Sequence, residues 1–218
     1  MSDAPAPAPR RRRRRIVAGL ATLAVVGGLI WYLACAVPFL AITRPVPTAD
    51  LLVVEAWMKP YMLPPVAAEY KNGHYKLVLV SGVLHDQSVP HSVPAEASID
   101  RTVEVLASLG VPRDRLVACP APFSRWRRTA ASARAVKSAL HRLGVAGTGL
   151  NVITDTTHGR ESWAAYDNML GDEMPVGIIS LSFGPEPARP WWLRPVRAAW
   201  VTRDFLAWLK EVVLPMHS

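Results

Sequence analysis

Cysteine is scarce in this 218-residue chain, where only Cys35 and Cys119 occur. Two thiols outside any C-x-x-C pair build neither a disulfide framework nor a thiolate metal centre, and the histidines form no ligand tract. His85 and His91 lie close in sequence without an obvious third ligand, so no metal site is assigned. Three glycine signatures are missing as well: G-x-G-x-x-G, G-x-x-x-x-G-K-[ST] and G-x-S-x-G. Their absence speaks against ordinary dinucleotide binding, P-loop NTPase chemistry and a serine-hydrolase elbow.

The net charge of +8 invites a nucleic-acid reading, but Arg10 to Arg15 supply six of the 25 basic residues and Asp3 one of the 17 acidic ones. Beyond Thr43 the balance is 19 against 16, too even for a nucleic-acid surface. Charge is absent altogether from Ile16 to Thr43. The 22 residues Ile16–Val37 would form a helix of about 33 Å, enough to cross a hydrocarbon core of ~30 Å. Trp31 and Tyr32 near its far end suit a membrane interface, and the arginine run before the span places the N-terminus in the cytoplasm. A cleaved signal peptide with Ala34 and Ala36 before the cut is the rival reading, although its apolar core is usually only about 7–15 residues. Cys35 follows Tyr32-Leu33-Ala34, a poor match to a lipobox. The organisation expected is a disordered basic tail over 1–15, an anchor over 16–42, a linker over 43–49 and a domain over 50–213.

Within that domain, short apolar runs alternate with helical stripes. Leu51–Val54, Leu77–Val80, Leu116–Ala118, Leu150–Thr154 and Val176–Leu181 read as five strands buried on both faces. Between them, Leu63, Val66, Ala67 and Tyr70 keep helical spacing, as do Ile99, Val103 and Leu106 on a helix expected from about Ala95. Ala133, Val136 and Leu140 mark a third helix, Trp163, Tyr166 and Leu170 a fourth, and Val201, Phe205, Trp208 and Val212 a last. This alternation predicts an α/β domain of Rossmann-like, three-layer form: a mostly parallel sheet of about five strands, preceded by one transmembrane helix.

Ligands of open α/β sheets bind beyond the carboxyl ends of the strands. There the sequence delivers Glu55-Ala56-Trp57, then Ser81-Gly82 with His85, Asp86, His91 and Glu96, then Cys119 and Ser124–Thr129, and finally Asp155–Arg160. Arg125, Arg127 and Arg128 precede a helix start, whose free N–H groups also favour an anion. His158 and Arg160 repeat the theme at the next. Glu55, Glu96, Asp155 and His158 are the available acids and bases, although Glu96 and Asp155 also suit helix capping.

Several short motifs occur in a set order: Ala49-Asp50, Tyr70-Lys71-Asn72-Gly73, Val80-Ser81-Gly82, Ala95-Glu96-Ala97, Gly110-Val111-Pro112, Thr129 with Ala133, Thr157-His158-Gly159-Arg160, and Trp191-Trp192. In this series the chain resembles the SanA/ElyC/YdcF family of bacterial envelope proteins, from about Asp50 to Glu211. The resemblance implies a Rossmann-like domain behind an N-terminal anchor and a role in envelope barrier function or cell-wall precursor metabolism. It nominates Ser81, Gly82, Glu96, Thr129, His158 and Arg160 as cleft positions. The chain departs from that family in carrying Glu55-Ala56-Trp57 where many members have a Gly-rich turn. It also has Arg128-Thr129 and Ala131-Ser132 in place of an Asn-Thr…Glu-Asn motif.

The expectation is a single-pass protein of the bacterial plasma membrane whose extracytoplasmic domain binds, or also processes, a phosphate-bearing cell-wall or lipid-linked precursor. Ser81, Gly82, Arg127, Arg128, Thr129 and Arg160 would hold the ligand, and Glu96 or His158 would move a proton. A non-catalytic scaffold and a binder of nucleotide-like or S-adenosylmethionine-type ligands are the alternatives, and no cofactor is assigned. A reporter active only after export is expected to work when fused after Ser218, and the intact 23.9 kDa chain to stay with membranes through a carbonate wash. Activity of a cytoplasm-only reporter at that position would reverse the topology.

Overall fold

A computed structural model describes residues 9–84, 98–124, 126–182 and 189–216. The chain divides after Val37 into two compact units. The apolar run lies in helix α1 (Pro9–Leu40), whose stretch Arg13–Leu40 is long and apolar enough to cross a membrane. α1 begins earlier than the expected anchor and takes in Arg10–Arg15, so the arginine run is helical rather than part of a disordered tail. Arginine is a good helix former, proline suits a first turn, and no breaker separates the run from Ile16.

The second unit is built on five parallel strands: β1 (Leu51–Glu55), β2 (Leu77–Val83), β3 (Leu116–Ala121), β4 (Leu150–Asp155) and β5 (Val176–Leu181). Their order is β3-β2-β1-β4-β5, a doubly wound arrangement, and the five-strand parallel sheet is the one that the alternating pattern predicts. β1 is central and buried on both faces. Leu51 and Val53 pack with Ala133, Val136 and Leu140 of α4 (Arg128–Leu143) and Tyr166 and Leu170 of α5 (Gly159–Leu170). Leu52 and Val54 point the other way, against Leu63 and Val66 of α2 (Leu63–Asn72) and Ile99 and Leu106 of α3 (Ile99–Ser108). Each such side chain contributes roughly 1.5–3 kcal/mol when fully buried. The last helix, α6 (Pro195–Val213), packs against α5.

Two element ends differ from the sequence pattern. α3 starts at Ile99, where the Ser98 hydroxyl accepts a hydrogen bond from the Arg101 backbone N–H, rather than near Ala95. β3 runs on through Pro120 to Ala121. It is an edge strand paired only with β2, so the missing N–H of Pro120 breaks no interior ladder.

The segment expected to be a linker is fastened to the sheet. Arg44 and Ile178 exchange backbone hydrogen bonds of 2.7 and 3.1 Å on the outer side of β5. The buried Asn151 amide accepts from the Val46 N–H at 2.8 Å and donates to its carbonyl at 3.2 Å. Gly177 makes this approach possible, because a Cβ there would lie 2.1 Å from Asn151 Oδ1 and 2.5 Å from the Val46 nitrogen. Gly177→Ala is therefore expected to cost about 1–3 kcal/mol, read as a fall of several degrees in the unfolding temperature of the detergent-solubilised chain. An unchanged midpoint would mean that the segment detaches without cost.

Candidate functional site

The reversal of winding lies between β1 and β4, so their carboxyl ends open a crevice. β1 delivers Glu55 there with only 3% of its side chain exposed. Its carboxylate accepts hydrogen bonds from Trp57 Nε1 at 3.1 Å, Thr154 Oγ1 at 2.5 Å and Ser162 Oγ at 3.0 Å. Those donors come from the β1 turn, β4 and α5, so three elements converge on one acid.

His158 closes the short 3-10 turn Thr156–His158 between β4 and α5. Its Nε2 is 3.9 Å from Glu55 Oε2, while Nδ1 is 3.1 Å from Glu161 Oε2 and 3.7 Å from Asp204 Oδ1. Nδ1 is buried and is held by its ion-pair contacts with Glu161 and Asp204. The Trp57 ring meets the imidazole edge-on at 5.1 Å. Thr129 Oγ1 donates to Glu161 Oε1 at 3.1 Å and stands 3.5 Å from His158 Nε2. Asp204 comes from α6, accepts from Thr157 Oγ1 at 2.6 Å and is clamped by the Arg203 guanidinium at 2.8 Å.

Three buried carboxylates around one imidazole fix its protonation. Burial alone would depress the His158 pKa, but the charges of Glu161 and Glu55, with Asp204 beside them, raise it well above the ordinary histidine value. Burial would likewise raise Glu161 and Asp204. The imidazolium, with Lys210 and Thr129 at Glu161 and with Arg203 and Thr157 at Asp204, holds both below the ordinary carboxylate range. The site can therefore present a proton held on a buried ring. It offers a second chemistry as well: His158, Glu161 and Asp204 bring one ligand atom each to within 4.8 Å of one another, a set able to hold a divalent cation. A cation bound through Nδ1 would have to displace its proton.

The expected site residues separate into groups. His158 and Thr129 meet in the cluster. Ser81 lies behind it, 1% exposed, as the register partner of Glu55, with its hydroxyl 2.6 Å from that of Tyr166. Gly82 serves packing, since a Cβ there would be 3.0 Å from that of Ala56 and 3.3 Å from Ile99. Arg128 is exposed at the first residue of α4. Arg127 directs its guanidinium to the Leu214 carbonyl at 3.0 Å. Arg160 lies over the Phe39 ring at 4.0 Å and donates to the Phe39 carbonyl, so it does not join His158. Glu96, His85, Asp86, His91 and Arg125 lie outside the described residues.

Glu161 and Asp204 did not emerge from the motifs. Each carried a signal: Glu161 is one helical turn after His158, and Asp204 falls inside the apolar stripe of α6 between Val201 and Trp208. A groove of about 440 Å³ also runs along α4, lined by Arg127, Arg134 and Arg142, by Ser124 and Ser138, and by apolar Phe123 and Met216. No acidic residue lines it among the described residues.

The pH dependence of stability follows from these shifts. The His158 contribution is complete below the unfolded histidine value of about 6.5 and is lost as pH rises through the raised folded value. That of Glu161 and Asp204 is complete above about 4 and is lost as pH falls through their lowered folded values. His158→Gln is therefore expected to destabilise the chain by roughly 3–5 kcal/mol, with the widest gap from wild type between about pH 4.5 and 6.5. Thermal unfolding across pH tests this, and a gap that does not narrow above that window would contradict a charged His158. No protein-family model matches the chain, and no curated protein matches it in sequence.

Proposed function

We propose that the chain is a membrane-anchored envelope protein whose α/β domain binds, and with His158 as proton donor processes, an anionic phosphate-bearing cell-wall or lipid-linked precursor. The observation that carries this reading is the α4 groove, where three arginines and two serines stand beside apolar Phe123 and Met216. Its size is that of a small-molecule site. Its mixture of cationic and apolar walls suits a molecule with a phosphate head and a hydrocarbon portion. Arg127 of the groove is two residues from Thr129, whose hydroxyl reaches the His158 cluster. A phosphate at the α4 N-terminus would meet free backbone N–H groups and the exposed Arg128. Arg160 drops out of the ligand set, since its guanidinium is spent on Phe39. The resemblance to the SanA/ElyC/YdcF family, on the motifs above, supports the envelope setting.

A charge-assisted hydrogen bond contributes roughly 1.5–3 kcal/mol. Arg134→Ala and Arg142→Ala should each weaken binding of a polyprenyl phosphate or a uridine-diphosphate sugar to the full chain by about ten- to a hundredfold, while Arg101→Ala on α3 leaves it unchanged. His158→Gln, checked for folding by its unfolding temperature, should bind the same probe and fail to turn it over. A wild type that binds neither probe would reject the proposal and favour a non-catalytic scaffold.

A further inference from the structure

The α4 groove is partly occupied by the chain itself, because the segment that follows α6 runs into it. α6 stops at Val213, since Pro215 disfavours helical backbone at the residue before it. Leu214 still donates its N–H to the Lys210 carbonyl at 2.9 Å, but its φ of −129° and ψ of 62° turn the chain out of the helix. Its own carbonyl reaches Arg127 and accepts from Nη1 at 3.0 Å. Two residues on, Met216 lines the groove beside Cys119 and Ala135. It is partly buried there against the core cluster to which Cys119 and Val136 belong.

The two ends of this connection are held very differently. In the last turns of α6, Lys210 Nζ donates to the Trp126 carbonyl at 2.7 Å and Asn168 Nδ2 to the Glu211 carbonyl at 3.1 Å, while Glu211 itself is 1% exposed. Beyond them Leu214 is 58% exposed, and Pro215 is exposed with no N–H to donate. Among the described residues, what fastens this segment to the groove is one exposed hydrogen bond and one methionine side chain. Methionine, unbranched and flexible, fills irregular apolar gaps without fixing one geometry.

Both holds stand where a phosphate-bearing amphiphile would make its own contacts. The Leu214 oxygen accepts from a guanidinium nitrogen that a phosphate oxygen would use. A phosphate offers that guanidinium a full opposite charge and two parallel bonds, whereas the carbonyl offers a partial charge and one. We propose that Leu214–Met216 is a strap that the ligand of the groove displaces. The Leu214 carbonyl takes the place of a phosphate oxygen, and Met216 that of the hydrocarbon portion. Displacement frees Arg127 and leaves Cys119 and Ala135 to receive the apolar part. Affinity is then scaled down by the fraction of chains with the strap lifted, so a strap docked about nine-tenths of the time weakens binding about tenfold. The inference rests on the reading of the α4 groove as the ligand site and adds how that site is controlled.

The sign of one substitution separates a strap from a fixed wall. Met216→Ala removes the apolar hold, so the full chain in detergent should bind a polyprenyl phosphate roughly three- to tenfold more tightly than wild type. A Met216 that formed a permanent wall would instead lose contacts with the probe, and Met216→Ala would bind it more weakly. In wild type carrying isotope-labelled methionine methyl groups, the Met216 resonance is assigned by its loss in Met216→Ala. It should narrow and move to the position of an unstructured chain when the probe saturates. Binding by wild type with equal or weaker affinity in Met216→Ala, or a Met216 resonance that stays broad in the saturated chain, would overturn the strap and leave the groove reading intact. If neither chain binds the probe, the groove reading itself fails and the strap with it, so the two failures are distinguishable.

Discussion

The pairing of His158 with three carboxylates that water does not reach is the constraint on which the crevice depends. Removing a carboxylate from water costs several kcal/mol, and Glu55, Glu161 and Asp204 are all nearly inaccessible. Each is met by more than one partner: hydroxyls and an indole at Glu55, a threonine and the imidazole at Glu161, a threonine and Arg203 at Asp204. These partners belong to the turn after β1, β4, the turn before α5, α4, α5 and α6. Satisfying the charges therefore fixes how those elements close around the end of the sheet. Loss of the imidazole would leave Glu55 with hydroxyls and an indole but no contacting cation, and Glu161 with the Thr129 hydroxyl and the more distant charge of Lys210.

The same constraint explains how much of the molecule can be read in its sequence. Strands such as Leu51–Val54 are legible because a strand covered on both faces must be continuously apolar, and a five-strand parallel sheet follows from their alternation with helical stripes. β3 is longer than it reads, since only its position at the sheet edge tells that Pro120 is harmless. His158 and Thr129 are legible as residues of loops that leave the same edge. Asp204 lies 47 residues after Thr157, on a helix whose stripe reads as core packing, so only the packing of α6 on α5 discloses its role. Arg160 shows the converse. Its sequence position pairs it with His158, yet a neighbouring aromatic ring from a distant segment claims its guanidinium.

On the proposed reading, the groove along α4 and the His158 cluster divide two tasks that one cavity could not combine. Exposed arginines with apolar neighbours, such as Arg134 and Arg142, can capture an anion while remaining hydrated. A proton donor benefits from the opposite surroundings, where surrounding charges set its affinity and solvent cannot drain the proton away. Thr129 stands at the join, on the first turn of the helix that carries the arginines and in hydrogen-bond contact with Glu161.

The fastening of the segment after α1 has a mechanical corollary. Only Ala41, Ile42 and Thr43 separate the end of that helix from Arg44, and Ser180 holds Ile42 and Thr43 by hydrogen bonds of 2.6 and 3.1 Å. A pull on the end of that helix is therefore borne first by these bonds and by the Arg44–Ile178 bridge at the outer edge of β5, before any bond of the sheet interior is loaded.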